Sequence, residues 1–265
     1  MDIIDLTREN EQTYFHCLQE SSEEMKEATT AKEDWYVKMK SSGLRVKLAR
    51  DEDGTITGMI QYFPIEQSWV QGKDLYFIGC IWVPSHIKGK GNYQNQGIGT
   101  ALLNAAEKDV AQIGSKGIVA WGAALPVWMK ASWYKKRGYK SIDRKGFLGD
   151  VLLWKKLAED AQPPKWNKQK KFPEKDSEKV KITCLNHGWC PAMNLSVHRA
   201  KKVASEFGDN IIIEEVDTFD TSRFEEWGTT DSLYIDGKKI STGPPPTEEK
   251  LRSVIEKFVS KKKKT

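Results

Sequence analysis

The sequence predicts an α/β (α+β) chain in two parts, and three observations carry that prediction. Composition shifts once along the 265 residues, at 158–176, where Pro163, Pro164 and Pro173 stand among alternating charges without a hydrophobic period. Such a stretch reads as a linker. Before it the elements run helix, β-hairpin, β, glycine loop, α, β, α, β, β. After it they run βαβ–ββα, the order of a small α/β sandwich. Two domains follow, at residues 1–157 and 177–265, joined by the 158–176 linker.

Composition narrows the function classes. Apolar residues make up 38% and charged residues 30%, and ten Trp, nine Phe and eight Tyr supply more aromatic mass than a disordered chain carries. Lys plus Arg is 42 against 37 Asp plus Glu, a net +5 too evenly balanced to point to nucleic acid. Part of the excess is the Lys261–Lys264 run, read as a solvated tail. No apolar run approaches the ~20 residues that span a bilayer, and MDIIDLTREN is too polar for a signal peptide. The expectation is a soluble, cytoplasmic protein whose oligomeric state the sequence leaves open. Four Cys at Cys17, Cys80, Cys184 and Cys190 are no disulfide scaffold, and no paired His/Cys spacing suggests a metal.

In the first part, residues 10–30 carry scattered apolar positions suited to one or two helices. Leu44–Ala49 and Thr55–Pro64 read as strands about Asp51-Glu52-Asp53-Gly54, since Asp-Gly between such runs marks a hairpin. Leu75–Val83 is a near-continuous apolar run ended by Pro84, as in a strand buried on both faces. Ile98–Ile113 is helical, with Ile98, Leu102, Ala106, Val110 and Ile113 on one stripe and Asn104, Glu107 and Lys108 pointing away. Gly117–Gly122 is a further strand. Pro126 opens a helix through Lys136 that Gly138 closes, and strands at Tyr139–Asp143 and Gly149–Trp154 follow.

The sharpest motif is Gln94-Asn95-Gln96-Gly97-Ile98-Gly99-Thr100. Two glycines at a helix entry leave backbone N–H groups unpaired, and the helix dipole makes that place attractive to phosphate. The plainer reading is a helix start that needed glycine only to leave a strand. The dinucleotide fingerprint fails because Leu102 fills the third glycine's slot. A P-loop fails because no Lys stands between Gly99 and Thr100.

What fits is Gln/Arg-x-x-Gly-x-Gly/Ala, with Gln94, Gly97 and Gly99 at the three positions. Here, and in Trp133-Tyr134-Lys135-Lys136-Arg137-Gly138-Tyr139 downstream, residues 1–157 resemble the GNAT superfamily of acyl-CoA-dependent N-acyltransferases. The resemblance implies a mixed sheet flanked by helices, acetyl-CoA as cosubstrate, and direct attack by a primary amine of a small molecule or peptide. It implies that Gln94, Asn95, Gln96, Gly97, Ile98, Gly99 and Thr100 bind the coenzyme, the amides from Gln96 to Thr100 holding its pyrophosphate. Backbone groups of Ile81, Trp82 and Val83 would bond the pantetheine arm like an added strand, and an N–H near Trp82 or Val83 would polarise the thioester carbonyl. Tyr134 matches the tyrosine that protonates the departing thiolate.

Two departures from the family pattern stand out. Pro84–Tyr93 is longer than the usual link, and its Lys88 and Lys90 either reach the adenosine 3′-phosphate or form a solvated basic loop. Val127 holds the slot of a family Asn. No motif locates the general base; His86 is a candidate, with Asp74 and Glu66 behind it. Trp121, Trp128, Trp133 and Met129 either line the acceptor cleft or are ordinary core.

In the second part, Val180–Leu185 and Ile211–Val216 read as strands, Met193–Phe207 as a helix, Leu233–Ile235 and Lys238–Ile240 as a hairpin about Asp236-Gly237, and Glu248–Val259 as a last helix. Leu251, Val254, Ile255, Phe258 and Val259 form its apolar stripe. Asn186-His187-Gly188-Trp189-Cys190-Pro191 sets a Cys at a helix N-terminus, where the dipole favours thiolate. This segment resembles the thioredoxin-like superfamily, and the two parts together are similar to YoaP-type proteins. The motif is degenerate: Met193 occupies the second Cys position, and Thr229-Thr230-Asp231-Ser232 stands where a cis-proline is usual. A dithiol cycle at the usual positions is excluded. The competing class is a monothiol redox or thiol-binding protein, with Cys190 alone or paired with Cys184, in which CoA is only a ligand.

Overall fold

The first compact unit is built on one mixed sheet. A computed structural model of the chain describes residues 1–18, 22–84, 91–124, 129–146, 149–240 and 245–263. The chain divides into Met1–Glu20 with Val37–Asn167, and Ser21–Tyr36 with Lys168–Thr265. In the first unit lie β1 (Asp2–Asp5), α1 (Glu11–Phe15), the end of α2 (Glu23–Ser41), β2 (Arg45–Arg50), β3 (Ile56–Pro64), β4 (Val70–Gln71), β5 (Tyr76–Trp82), α3 (Ile98–Gln112), β6 (Gly117–Ala123), α4 (Ala131–Lys135), β7 (Lys140–Arg144), β8 (Asp150–Lys156) and β9 (Lys165–Trp166). Seven strands pair in the order β1-β2-β3-β5-β6-β8-β7, with β4 and β9 as a separate antiparallel pair.

Each neighbouring pair in the large sheet is antiparallel except β5–β6, which is parallel. The β2–β3 hairpin turns where Asp51 accepts from the backbone N–H of Asp53 and Thr55. Strand β3 is buried at eight of nine positions, so both faces of the sheet centre are covered. On one face the α3 stripe of Ile98, Leu102, Ala106 and Val110 packs with Ile60, Tyr62, Ile78, Ile118 and Tyr134.

Two expectations for α3 need correction. Ile113 lies at the helix end and is 43% exposed, outside the stripe. Glu107 does not simply point to solvent; it bonds Lys155 of β8 at 2.6 Å. The helix also carries a buried acid that the pattern did not single out. Asp109 accepts from Arg45 Nε, Arg45 Nη2 (2.7 Å) and the Tyr62 hydroxyl (2.6 Å), which ties α3 to β2 and β3. Burial pushes its carboxyl up, but the bonds from Arg45 and Tyr62 and the charge of Lys47 outweigh that and hold it below the usual range.

The helix expected from Pro126 begins, among the described residues, only at Ala131. Met129 has φ of 44° and its carbonyl accepts from Ala123, while Lys130 is extended, so neither residue is helical. Pro126, Val127 and Trp128 lie outside the described residues. After α4, the Tyr139 and Gly138 amides turn back to the carbonyls of Tyr134 and Lys135, closing the helix end.

In the second unit are the α2 residues through Tyr36, β10 (Val180–Asn186), α5 (Pro191–Ser205), β11 (Ile211–Asp217), α6 (Thr221–Trp227), β12 (Ser232–Ile235), β13 (Lys238–Lys239) and α7 (Glu248–Lys262). The sheet order is β11-β10-β12-β13, with β10 and β11 parallel and the rest antiparallel. One face packs Val180, Ile182 and Cys184 against Ala200 and Val203 of α5 and Leu251, Ile255 and Val259 of α7. The other sets Leu185, Val216 and Tyr234 around Trp227 at the end of α6. The larger part of α2, residues 23–36, joins this unit through polar bonds: Arg199 grips Glu24 at 2.6 and 2.8 Å, and Asn194 donates to the Ala28 carbonyl at 2.9 Å. No helix of the described residues is long and apolar enough to cross a membrane.

Candidate active site

The site begins where two parallel strands part. Strands β5 and β6 pair only at Tyr76↔Ile118 and Phe77↔Val119. Beyond that, β6 stays with β8 through Ala123, while β5 follows β3 through Trp82. A bulge helps turn β5 away: Gln61 faces Cys80 and Tyr62 faces Ile78, so Gly79 is the extra residue. Glycine is required there, because a Cβ would meet the Phe63 ring at 2.8 Å. The Trp121 indole reaches across the opening and donates to the Gly79 carbonyl at 3.1 Å. From Ile78 to Trp82, β5 therefore has no strand partner on its β6 side among the described residues, and Ile81, Trp82 and Val83 are only half buried.

The glycine turn meets this opening at the start of α3. Gly97 is the N-cap residue with φ of 79°, a left-handed backbone that glycine adopts without strain. Among the described residues, the N–H groups of Asn95, Gln96, Gly97, Ile98 and Gly99 have no backbone partner; Thr100 and Ala101 both turn back to the Gly97 carbonyl. No side chain caps the helix and no acid lies in its first turn, so its positive end is uncompensated from within. Asn95, Gln96 and Gly97 are exposed, and a Cβ on Gly97 would meet nothing within 4 Å. Gln94 opens the turn, its N–H on the Asn92 side chain at 3.2 Å.

The elements converge around Gly99. A Cβ placed there would lie 3.4 Å from the Trp133 indole of α4 and 4.0 Å from Val83 at the end of β5. Next to Trp133, Tyr134 is fully buried, edge-on to Tyr139 at 5.4 Å, and its hydroxyl has no partner among the described residues. Burial, then the neighbouring Cys80 thiol, pushes its phenol far above the ordinary tyrosine value. A buried hydroxyl without a partner is costly in a finished core. It is what a site that receives a polar ligand atom would keep.

The structure separates other candidates from this place. Asp74 and Glu66 are joined to each other before β5, the Asp74 N–H on Glu66 at 2.8 Å. They stand at the far end of the strand, roughly 25 Å of extended chain from Trp82, so neither is the base. His86, Lys88 and Lys90 lie outside the described residues. Trp121 and Trp133 border the opening and are half buried, whereas Met129 is core. Sequence reasoning passed over Arg137, which stacks on Trp133 and bonds Thr100. Its signal was its place three residues after Tyr134, one turn along the same chain segment.

In the second unit, Cys190 is the half-buried N-cap of α5. Cys184 is fully buried in β10 opposite Leu233, and burial, then Glu215, pushes its thiol up to about 12. Asp231, in the segment before β12, accepts from the His187 N–H at 3.0 Å and the Trp189 indole at 2.7 Å, which holds the loop ahead of Cys190.

Comparison with known proteins bears on the first unit. No curated protein matches the chain. Similar solved structures include a GNAT family N-acetyltransferase (YhbS) from Escherichia coli in complex with CoA, 16% identical, covering 60% of this chain and 82% of its own with a TM-score of 0.43. The PaiA N-acetyltransferase from Thermoplasma acidophilum in complex with coenzyme A is 21% identical over 59% of this chain and 100% of its own, TM-score 0.42. A ribosomal-protein-alanine N-acetyltransferase from Brucella melitensis is 15% identical over 59% and 100%, TM-score 0.44. The family model described as the acetyltransferase (GNAT) family matches residues 4–139, just over half of the sequence, from β1 through the glycine turn and Tyr134. The chain therefore belongs to the acetyltransferase (GNAT) family and is an acyltransferase with acetyl-CoA as its cosubstrate.

Proposed function

We propose that the protein transfers the acetyl group of acetyl-CoA to a primary amine by direct attack, with Tyr134 as the proton donor to the leaving thiolate. The observation that carries this reading is the Tyr134 hydroxyl, buried beside the parted strands with no partner among the described residues. Acetyl-CoA supplies a thioester, whose carbonyl carbon gains a C–N bond as its C–S bond breaks. The open amides of Asn95 to Gly99, with Gln94 and Thr100, hold the pyrophosphate. The free edge of β5 at Ile81, Trp82 and Val83 takes the pantetheine arm as an added strand, and an N–H there polarises the carbonyl. Tyr134 holds a proton at its hydroxyl, because burial keeps the phenol neutral, and gives it to sulfur as charge develops there. The amine releases its own proton to water, and Tyr134 regains one from water when CoA leaves.

For the C-terminal part we infer a thioredoxin-like domain over residues 177–265 of the YoaP type, following a first domain at 1–157 whose compact unit extends to Asn167, because β9 within the expected 158–176 linker pairs with β4. The order β11-β10-β12-β13, a parallel first pair beside an antiparallel hairpin, and helices on both faces support it. The buried, protonated Cys184 argues against a Cys184–Cys190 couple. The monothiol alternative draws nothing from the family match, which ends before Cys190. The test is a panel of primary amines, small molecules and peptide N-termini, with release of free CoA thiol as readout. Release that depends on an added amine supports transfer. Tight acetyl-CoA binding with no release on any amine would make the protein a coenzyme-binding module.

A further inference from the structure

We propose that Arg137 is a coenzyme-binding residue that clamps the diphosphate over the first turn of α3, a contact from α4 in addition to the backbone turn. The inference rests on the reading that places the diphosphate at that helix start. Arg137 is half buried, with its guanidinium 3.8 Å above the Trp133 ring. Nε and Nη2 donate to the Thr100 hydroxyl at 3.2 and 2.7 Å, and Nη1 donates to the Trp133 carbonyl at 2.9 Å. An arginine has five N–H donors, so two have no partner among the described residues, one on each terminal nitrogen.

The electrostatics are unusual for this molecule. Arg45, Arg199 and Arg252 each grip a carboxylate with two nitrogens. Arg137 has no carboxylate within 4.0 Å among the described residues, and its neutral partners leave burial to lower its pKa. It is also held at the positive end of α3, where cations are disfavoured. Aromatic stacking and three hydrogen bonds fix a charge in a place that repels it. A ligand carrying two or more negative charges resolves the conflict, satisfying the spare fork and the open amides of Asn95 to Gly99 together. Thr100 takes part in the same way: its oxygen accepts from Arg137, which leaves its own proton to donate to a phosphate oxygen.

Calorimetry on the full chain tests this with CoA, 3′-dephospho-CoA and pantetheine at millimolar concentration, against wild type, Arg137→Gln and Arg137→Lys. The expected result is that Arg137→Gln weakens CoA and 3′-dephospho-CoA alike by ~10-fold or more, the scale of lost charge-assisted bonds, and leaves pantetheine unchanged. Arg137→Lys should fall between the two. Equal weakening of all three ligands would mean that Arg137 only braces Trp133 and Thr100, and would overturn the proposal. So would CoA binding within about twofold of wild type. A loss confined to CoA would assign the arginine to the 3′-phosphate instead. Wild type that fails to bind CoA would refute the placement of the coenzyme itself, and this proposal with it.

Discussion

Replacing Tyr134 by Phe should stabilise the protein and cripple the enzyme, two effects of opposite sign from one oxygen atom. The ring, its burial and its edge contact with Tyr139 stay in place. What leaves is a hydroxyl with no partner among the described residues. A buried polar group without a hydrogen bond costs about 1–3 kcal/mol, so unliganded Tyr134→Phe should gain part of that. For a domain of this size each kcal/mol moves Tm by roughly 2–4 °C, and the rise should be a few degrees. On the proposed mechanism the same hydroxyl would meet a developing thiolate in the transition state, and its removal should lower kcat by ~10²-fold or more. Acetyl-CoA affinity should change little, because the proton matters only as charge appears on sulfur. The raised phenol adds a pH signature: the proton stays on above the ordinary value of 10.0, so alkaline loss of kcat near pH 10 should not come from this group. Differential scanning fluorimetry without ligand and steady-state release of CoA thiol give the two readouts. A destabilised Phe variant would mean that the hydroxyl has a structural partner. A variant with wild-type kcat would remove Tyr134 from catalysis.

Gly97→Ala places a methyl in open space but on a backbone with φ of 79°; it should cost about 1–2 kcal/mol of stability and weaken acetyl-CoA, seen as a smaller thermal shift at saturating ligand. In the second unit, burial lowers His187 from 6.5 to about 3, and burial, then Glu215, raises Cys184 from 9.0 to about 12. These two groups therefore bind fewer protons in the folded than in the unfolded chain below pH 6.5 and more above pH 9, so the stability they contribute should be lost in both directions outside that window, by up to about 1.4 kcal/mol per pH unit per group. Urea melts across pH should show the plateau, and Cys184→Ala should flatten its alkaline side; an unchanged alkaline slope would refute the assignment. A fragment of residues 1–167 should fold and bind acetyl-CoA, but without Arg199 and Asn194 to hold Glu24 and Ala28 its 23–36 segment should exchange amide hydrogens fast. An insoluble or unfolded fragment would show that the first unit has no independent core.

The elements legible in the sequence were those with a long hydrophobic period or a turn signal. The α3 stripe as far as Val110, the two strands around Asp51–Gly54, the buried centre of β5 and the stripe of α7 appear where the residues put them. The Gln94–Thr100 turn and Tyr134 were legible because spacing at a helix start and in a short motif is a local property. Elements of two to seven residues, β1, β4, β9 and α6, were not, since so few residues carry no period and their pairing partners lie far along the chain. Nor was the division of α2, whose larger part is drawn into the second unit by Asn194 and Arg199, 166 and 175 residues from their partners.

The sequence by itself determined the kind of chemistry: a glycine turn that leaves amides open, and a tyrosine in the motif that follows. Tertiary structure alone decided where that chemistry meets. The parting of β5 from β6 after two paired residues, the bulge at Gly79 and the Trp121 bridge are properties of strand pairing, and pairing is set by partners distant in sequence. Burial of the Tyr134 hydroxyl with no partner among the described residues, and a cation fixed on Trp133 at the positive end of α3, are likewise visible only once the core has closed around them. A residue's type fixes which bonds it can make; the fold fixes which of them are left unmade, and the proposed coenzyme contacts rest on those.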